Sequence, residues 1–196
     1  MRIAVLLGVP RAIKHLHCHA NPPIIHHDIK SSNILFYANW VPHLSDFDIS
    51  VAFHLESEES ELETYVIGTM GYIDPEYVHT GILKPTSDVY NLGVVMLEVL
   101  TGNKPFFQGE EELGVNAELA SFALPIIEAG NFKDLLDRRP VPELTAGQLQ
   151  ALEHVAQTAG CCVKLKGKDR PAISDIVANL EMAHELICRD EPGLVD

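Results

Sequence analysis

The stretch that decides the fold is Ile24-Ile25-His26-His27-Asp28-Ile29-Lys30-Ser31-Ser32-Asn33-Ile34-Leu35-Phe36. Two apolar runs flank a short polar loop that carries an acid, a lysine two residues later and an asparagine. An acid can accept a proton, a lysine can neutralise phosphate, and an asparagine carbonyl can ligate Mg²⁺. Phosphoryl transfer asks for this set, because its catalysis is mostly positioning and charge stabilisation.

Two further segments lie downstream at fixed distances. Asp46-Phe47-Asp48 follows the loop, and Gly68-Thr69-Met70-Gly71-Tyr72-Ile73-Asp74-Pro75-Glu76-Tyr77 follows that. Taken with these segments, the chain resembles a protein kinase. The loop is similar to the kinase catalytic loop H-R-D-L-x-x-x-N, matched by His26, Asp28 and Asn33, with Lys30 of the serine/threonine type. Asp46-Phe47-Asp48 stands where kinases have D-F-G, and Asp74-Pro75-Glu76 where they have A-P-E. Ser87-Asp88-Val89-Tyr90-Asn91-Leu92-Gly93-Val94-Val95 is similar to the plant receptor-like kinases of the Pelle type. Phe122–Ile127 and Leu136–Arg139 resemble their Crinkly-related branch.

The resemblance implies a mainly α fold, the large C-terminal lobe of a kinase with a small β-hairpin at the catalytic loop. It runs over residues 1–188, with 189–196 a frayed tail. The small lobe is expected to be missing. These residues hold no glycine-rich loop, no strand lysine in a V-A-I-K context and no partner glutamate on a preceding helix. The resemblance also implies roles. Asp28 is the catalytic base and Lys30 steadies the transferred phosphate of ATP. Asn33 and Asp46 hold Mg²⁺, Leu35 lies under the adenine, and Thr69 sits by the substrate hydroxyl. His26 is structural, Asp88 holds the backbone of the catalytic loop, and Arg170 pairs with Glu76 in a buried ion pair. The family reaction moves the γ-phosphate of ATP to a Ser or Thr hydroxyl. The 196 residues alone are expected to be inactive, with a kinase-like binding module or decoy, or a gene fragment without a task, as the alternatives.

Two substitutions depart from the family. Asp48 replaces a glycine, which narrows the backbone choices and adds a carboxylate near Asp46. His27 replaces an arginine and offers no bidentate fork for a phosphate. Phosphorylation of Thr64, Ser57 or Ser60 is therefore expected to switch the domain weakly.

Composition sets the outer bounds. The 196 residues carry a formal charge of −14 and a pI near 5.0, which argues against nucleic acid or an anionic membrane as partner. A protein substrate or a partner kinase is expected instead. Much of the acid lies in a run at 56–63, read as a solvated loop. Four cysteines show no paired spacing and read as reduced, mostly buried thiols of a cytoplasmic domain. No apolar run reaches membrane-span length, and the apolar start at 1–9 reads as a helix rather than a signal peptide.

Periodicity places the remaining elements. Apolar spacing over 3–17 predicts a helix in which Pro10 is out of place; either it kinks there or regular helix begins near Pro10. His15, His17, Cys18 and His19 sit at its end and read as imidazoles near the negative end of the dipole rather than as a metal site. Ile34–Tyr37 and Pro42–Leu44 read as paired strands. A buried helix follows Pro85 and closes at Thr101-Gly102. Further helices are predicted over 116–129, from Thr145 to about 163, and over 172–188, with 103–115 as loop.

Overall fold

The computed structural model describes residues 2–37, 40–53, 62–108, 116–137 and 144–190. Its centre is the helix α3 (Pro85–Thr101), whose residues from Ser87 to Leu97 are all buried. A sequence apolar on nearly every face can be stable only when surrounded, and here α1 (Arg2–Cys18), α4 (Leu119–Glu128) and α5 (Ala146–Cys162) pack against it. The last helix, α6 (Ile173–Asp190), lies against α1 and α5. Its apolar residues Ile173, Ile176, Leu180 and Ala183 recur at helical spacing and enter the main core. α6 extends two residues beyond the expected boundary at 188.

Helix boundaries follow local chemistry. Gly102 closes α3 in the left-handed region (φ 67°), where its N–H caps the carbonyl of Glu98. Thr145 opens α5 through a reciprocal capping box with Gln148, both bonds 3.1 Å. Short antiparallel ladders edge the helical body. β1 (Ile24–Ile25) pairs with β4 (Val51–Ala52) and β2 (Ile34–Phe36) with β3 (Pro42–Leu44). β5 (Leu62–Glu63) pairs with β6 (Ile82–Leu83), just beyond the short helix α2 (Pro75–Thr80). In the β2–β3 hairpin Ile34 faces Leu44 and Leu35 faces His43, which brings the end of the Asp28 loop beside Ser45 and Asp46.

Two expectations are corrected. Of the two readings at Pro10, a helix start near it is overturned, because α1 spans Arg2–Cys18 with Pro10 inside. An interior proline costs about 3 kcal/mol, but Leu6, Leu7, Val9 and Ile13 are all buried, each contributing about 1.5–3 kcal/mol, so packing outweighs the lost bond. Residues 116–118 are not helical. They form β8 (Asn116–Glu118), paired with β7 (Phe106–Gln108) inside the stretch expected to be loop. The ladder takes up the backbone groups, and Leu119 then starts α4 with its N–H on the carbonyl of Pro105, 2.8 Å away. The acidic stretch at 54–61 and the tail at 191–196 lie outside the described residues. No helix among the described residues is long and apolar enough to cross a membrane.

α3 and α5 approach closely at Gly93. A methyl built there would lie 2.7 Å from Cβ of Cys162 and 2.8 Å from Cγ1 of Val163. Gly93→Ala is therefore expected to destabilise the chain by about 1–3 kcal/mol through overpacking, despite the better helix propensity of alanine. Urea unfolding checks this; an unchanged midpoint would contradict the close approach.

Candidate functional site

The loop between β1 and β2 is held from below by one carboxylate. Asp88, in the first turn of α3, is fully buried. Its Oδ2 accepts from the backbone N–H of His26 at 2.8 Å and its Oδ1 from that of His27 at 2.9 Å. The His17 imidazole at the end of α1 meets the same Oδ2 at 2.7 Å through Nε2. His17 was not singled out as a partner from the sequence, where it looked like one of several imidazoles at a helix end. Of the others, His15 and His19 stack at 5.9 Å between ring centroids, and Cys18 is exposed, as are Cys161 and Cys188, so the thiols are not mostly buried as expected.

His26 is buried as a neutral ring in a defined tautomer. Its Nε2 donates to the carbonyl of Ser45 at 3.1 Å, and its Nδ1 accepts the N–H of Asp28 at 3.3 Å. Burial lowers its pKa below the ordinary value and outweighs the opposing pull of Asp88, the Ser45 carbonyl, Asp28 and Asp46. Phe47 packs edge-on against the ring at 4.7 Å.

Above this base, Asp28 stands at the centre of a polar cluster. Its Oδ2 accepts from Nζ of Lys30 at 2.6 Å and from Nδ2 of Asn33 at 3.2 Å. Its Oδ1 accepts from the Thr69 hydroxyl at 2.7 Å. Lys30 also reaches Oγ1 of Thr69 at 3.0 Å. Burial works against charge on Asp28, but the bonds from Lys30, Thr69 and Asn33 and the charge of Lys30 outweigh it, holding the carboxyl below its usual range. Thr69 lies 41 residues away in sequence, so the fold alone brings it to Asp28.

Asn33 uses its amide N–H groups on the Asp28 carbonyl (2.9 Å) and carboxylate, which leaves its side-chain oxygen free. Ser45 donates from both N and Oγ to the Asn33 carbonyl, each at 2.9 Å, and so ties the segment of Asp46 to the loop. Asp46 is exposed and adopts φ 67°. A free amide oxygen and an exposed carboxylate on tethered segments form an oxygen donor set that fits a hard cation such as Mg²⁺. Leu35 is exposed on the β2 strand, next to these groups in sequence. His27 and Asp46 both occupy the left-handed region, unusual for residues with side chains and costing about 1–3 kcal/mol each.

The departures from the family pattern now have a geometry. Asp48 is exposed, and its φ is not positive; this turn does not need glycine, so the expected backbone restriction is not met. His27 is buried, donates from Nδ1 to the carbonyl of Ile49 at 3.2 Å, and leaves Nε2 without a partner. Its ring meets Tyr77 edge-on at 5.2 Å. Thr64 has its N–H on the Gly81 carbonyl and its hydroxyl on its neighbour's carbonyl, with no contact to His27. Ser57 and Ser60 lie outside the described residues.

The expected pair between Arg170 and Glu76 is not formed. Arg170 makes a bidentate contact with Asp74 instead, Nη2 to Oδ1 at 2.5 Å and Nη1 to Oδ2 at 2.7 Å. Its remaining donors go to the carbonyls of Lys164, Thr86 and Leu165, and the guanidinium lies 5.0 Å over the Tyr90 ring. Asp74 also caps α2 by accepting from the N–H of Glu76 and receives the Ser87 hydroxyl at 2.8 Å. Glu76 accepts the N–H of Gly167. The aspartate before Pro75 is the shorter and deeper acid, and it reaches the fork that Glu76 was expected to take. A carboxylate in place of the small residue of A-P-E was the available signal.

Two predictions follow from these contacts. Asp74→Ala is expected to cost about 3–5 kcal/mol, because it strands the Arg170 charge in the core. Glu76→Ala removes one acceptor and is expected to cost about 1–3 kcal/mol. Chemical denaturation of the two variants decides the assignment, and the reverse order would restore Glu76 as the partner. The second concerns pH. A histidine whose folded pKa lies below its unfolded value of about 6.5 contributes stability that is complete above that value and is lost as pH falls below it. His26→Phe is therefore expected to flatten the decline of the melting temperature between about pH 6.5 and pH 5; a slope equal to that of the unmodified chain would contradict a buried neutral His26.

Comparison with known proteins agrees with this geometry. Residues 3–180 match the family described as protein kinase domain. The chain is 45% identical, over its whole length, to the serine/threonine-protein kinase-like protein CCR3 of Arabidopsis thaliana. It is 39% identical over 93% of its length to CCR4 and 34% identical over 92% to wall-associated receptor kinase 3, both also from Arabidopsis thaliana. It spans 25%, 24% and 23% of those proteins respectively, so about a quarter of each. The helical lobe, the loop of Asp28 and these relatives together establish that the chain belongs to the protein kinase domain family, among the plant receptor-like kinases.

Proposed function

We propose that this chain is the phosphoacceptor-binding and catalytic lobe of a serine/threonine protein kinase, the lobe extending through the end of α6 at Asp190. The observation that carries the reading is the cluster of Asp28, Lys30 and Thr69, with bonds of 2.6, 2.7 and 3.0 Å. Asp28, kept ionised by its donors, orients a substrate Ser or Thr hydroxyl and receives its proton. Thr69 marks where that hydroxyl approaches. Lys30 lies within reach of the same oxygens and offsets negative charge on a transferred phosphoryl group. Asn33 and Asp46 would hold Mg²⁺, and Leu35 would support an adenine ring. Bound Mg²⁺ and ATP would supply the phosphoryl group and neutralise its charge. His26, Asp88, Asp74, Arg170 and Glu76 keep the two segments in register. Four free thiols and the ATP requirement suit a reducing, cytosolic setting, consistent with relatives named as receptor kinases.

As an isolated polypeptide these 196 residues do not transfer phosphate, because within them the nucleotide meets one wall and no glycine-rich cover. A second reading is favoured by one observation. Leu35, Phe36, Trp40 and Phe47 are each exposed, with the Phe36 and Trp40 rings 6.2 Å apart on the hairpin, apolar surface on which a partner kinase could dock without catalysis here.

The test joins the chain behind the small lobe of the 45% identical relative. The fusion is expected to phosphorylate a generic protein substrate with MgATP, and Asp28→Asn to reduce the rate by at least about a hundredfold. Activity that survives Asp28→Asn would overturn the reading. A folded, inactive fusion that binds a kinase saturably, with no effect of MgATP, would favour the docking module.

A further inference from the structure

The link between α5 and α6 carries Lys164-Leu165-Lys166-Gly167-Lys168. Three of the 14 Lys and Arg residues fall within this run, in a chain whose formal charge is −14. Lys166 and Lys168 are exposed and Lys164 is half-buried. None of the three ammonium groups takes part in a hydrogen bond or ion pair among the described residues. Leu165, between the first two lysines, is 71% exposed. Glu76 joins a fourth lysine to the run. One of its oxygens accepts the N–H of Gly167, and the other lies 4.0 Å from Nζ of Lys84. Asp169 is exposed in the same turn, and Asp74 beneath is neutralised by Arg170. Lys84, Lys164, Lys166 and Lys168 thus face only Glu76 and Asp169, and the run is locally basic.

The backbone that carries these lysines is fixed. Arg170 donates from Nε to the Lys164 carbonyl at 2.8 Å and from Nη2 to the Leu165 carbonyl at 3.2 Å. The Lys166 carbonyl accepts the N–H of Asp169 at 3.0 Å, and the Gly167 carbonyl that of Arg170 at 3.1 Å. Gly167 is buried against the start of α3, where a methyl built on it would lie 2.6 Å from Oγ1 of Thr86. The backbone groups are spent on holding the turn, and the side chains of Leu165, Lys166 and Lys168 are what it offers to a partner. Like charges on an ordered backbone repel one another, and an anionic partner lowers that energy while paying mainly side-chain entropy.

Charge complementarity and the acidity of the rest of the chain select the occupant. Screening confines each charge to about 8 Å at physiological salt, so one peptide segment laid on the run meets mainly its lysines. An anionic bilayer instead faces a whole side of the molecule and meets its excess acid, for a return of only about 1 kcal/mol per lysine. Leu165 adds an apolar contact among the cations, which a segment of acids alone leaves uncovered. We propose that residues 164–168 form a docking site for a Glu- or Asp-rich segment of a partner protein, whose carboxylates meet Lys166 and Lys168 and whose apolar residue covers Leu165. The run shares no hydrogen bond or ion pair with Asp28, Lys30, Asn33 or Thr69. A partner held there leaves that cluster open, and the docking stands apart from phosphotransfer.

The test uses the full 196-residue chain and a fluorescein-labelled peptide of glutamates around a central Leu, with a counterpart carrying Gln for every Glu. Anisotropy is read without ATP or Mg²⁺, at about 50 mM and about 300 mM salt. The Glu peptide is expected to bind at least about tenfold more tightly than the Gln peptide at the lower salt and to lose most of that advantage at the higher. The double variant Lys166→Gln, Lys168→Gln is expected to weaken it at least about fivefold, and Leu165→Gln about threefold. Lys104→Gln with Lys133→Gln, two exposed lysines elsewhere, makes the same change in net charge and is expected to weaken it less than about twofold. All five side chains are exposed, and equal thermal melts confirm that the variants fold. Equal affinity for the two peptides, or equal losses in the two double variants, would overturn the proposal. So would sedimentation with phosphatidylserine vesicles that depends on Lys166 and Lys168 in a chain that ignores the Glu peptide, since the run would then serve a membrane.

Discussion

One buried carboxylate carries the site. Asp88 takes the N–H groups of His26 and His27 and the His17 imidazole onto its two oxygens. Were it removed, two buried backbone donors would lose their acceptor, at about 1–3 kcal/mol each. That is a large share of a stability that for a domain totals about 5–15 kcal/mol. The strained conformation of His27 persists because this anchor and the Ile49 carbonyl over-determine it. The direction of Asp28, two residues from the anchored His26, is set by the same constraint. Helix α3, buried on nearly all sides, therefore acts as the rigid post on which a polar loop is mounted, and α1 contributes through His17 as well as through packing.

A second post holds the other half of the site. Arg170, before α6, reaches Asp74 at the start of α2 and the carbonyl of Thr86 at the start of α3. All its donors are used, which is the condition under which a buried ion pair can offset its desolvation. The segment bearing Thr69 thus enters α2 from a fixed point, and Tyr77 on that helix pins the segment's backbone from below. The loop of Asp28 and the segment bearing Thr69 meet where Asp28, Lys30, Thr69, His27 and Tyr77 touch, and again where the hydroxyls of Ser31 and Tyr72 lie 3.0 Å apart. The residues that touch there are separated by up to about fifty positions in sequence, so their meeting is a property of the lobe rather than of any local motif.

Most of the lobe was legible in the sequence because its signals are local. The apolar run after Pro85, the glycine after Thr101 and the helix start at Thr145 each act over a few residues, and each formed where expected. The polar groups around Asp28 were legible through their order along the chain. What was not legible depends on reach. Asp74 and Glu76 lie two residues apart, both acidic, and only the depth of the α2 N-terminus decides which meets Arg170. His17 looked like its histidine neighbours until α1 was seated against α3. Residues 116–118 have helix-compatible composition, and pairing with β7 overrode it. Asp48 was expected to disturb a turn that, as folded, places no demand for glycine on it.

The most direct measurement is amide hydrogen exchange at His26 and His27 by NMR. Both lie in a loop, where exchange is ordinarily fast. If Asp88 holds the site as described, these two amides exchange as slowly as those in the middle of α3, opening only with global unfolding. Exchange as fast as that of exposed loop residues would contradict the account, because the carboxylate would then not be the anchor of the catalytic loop.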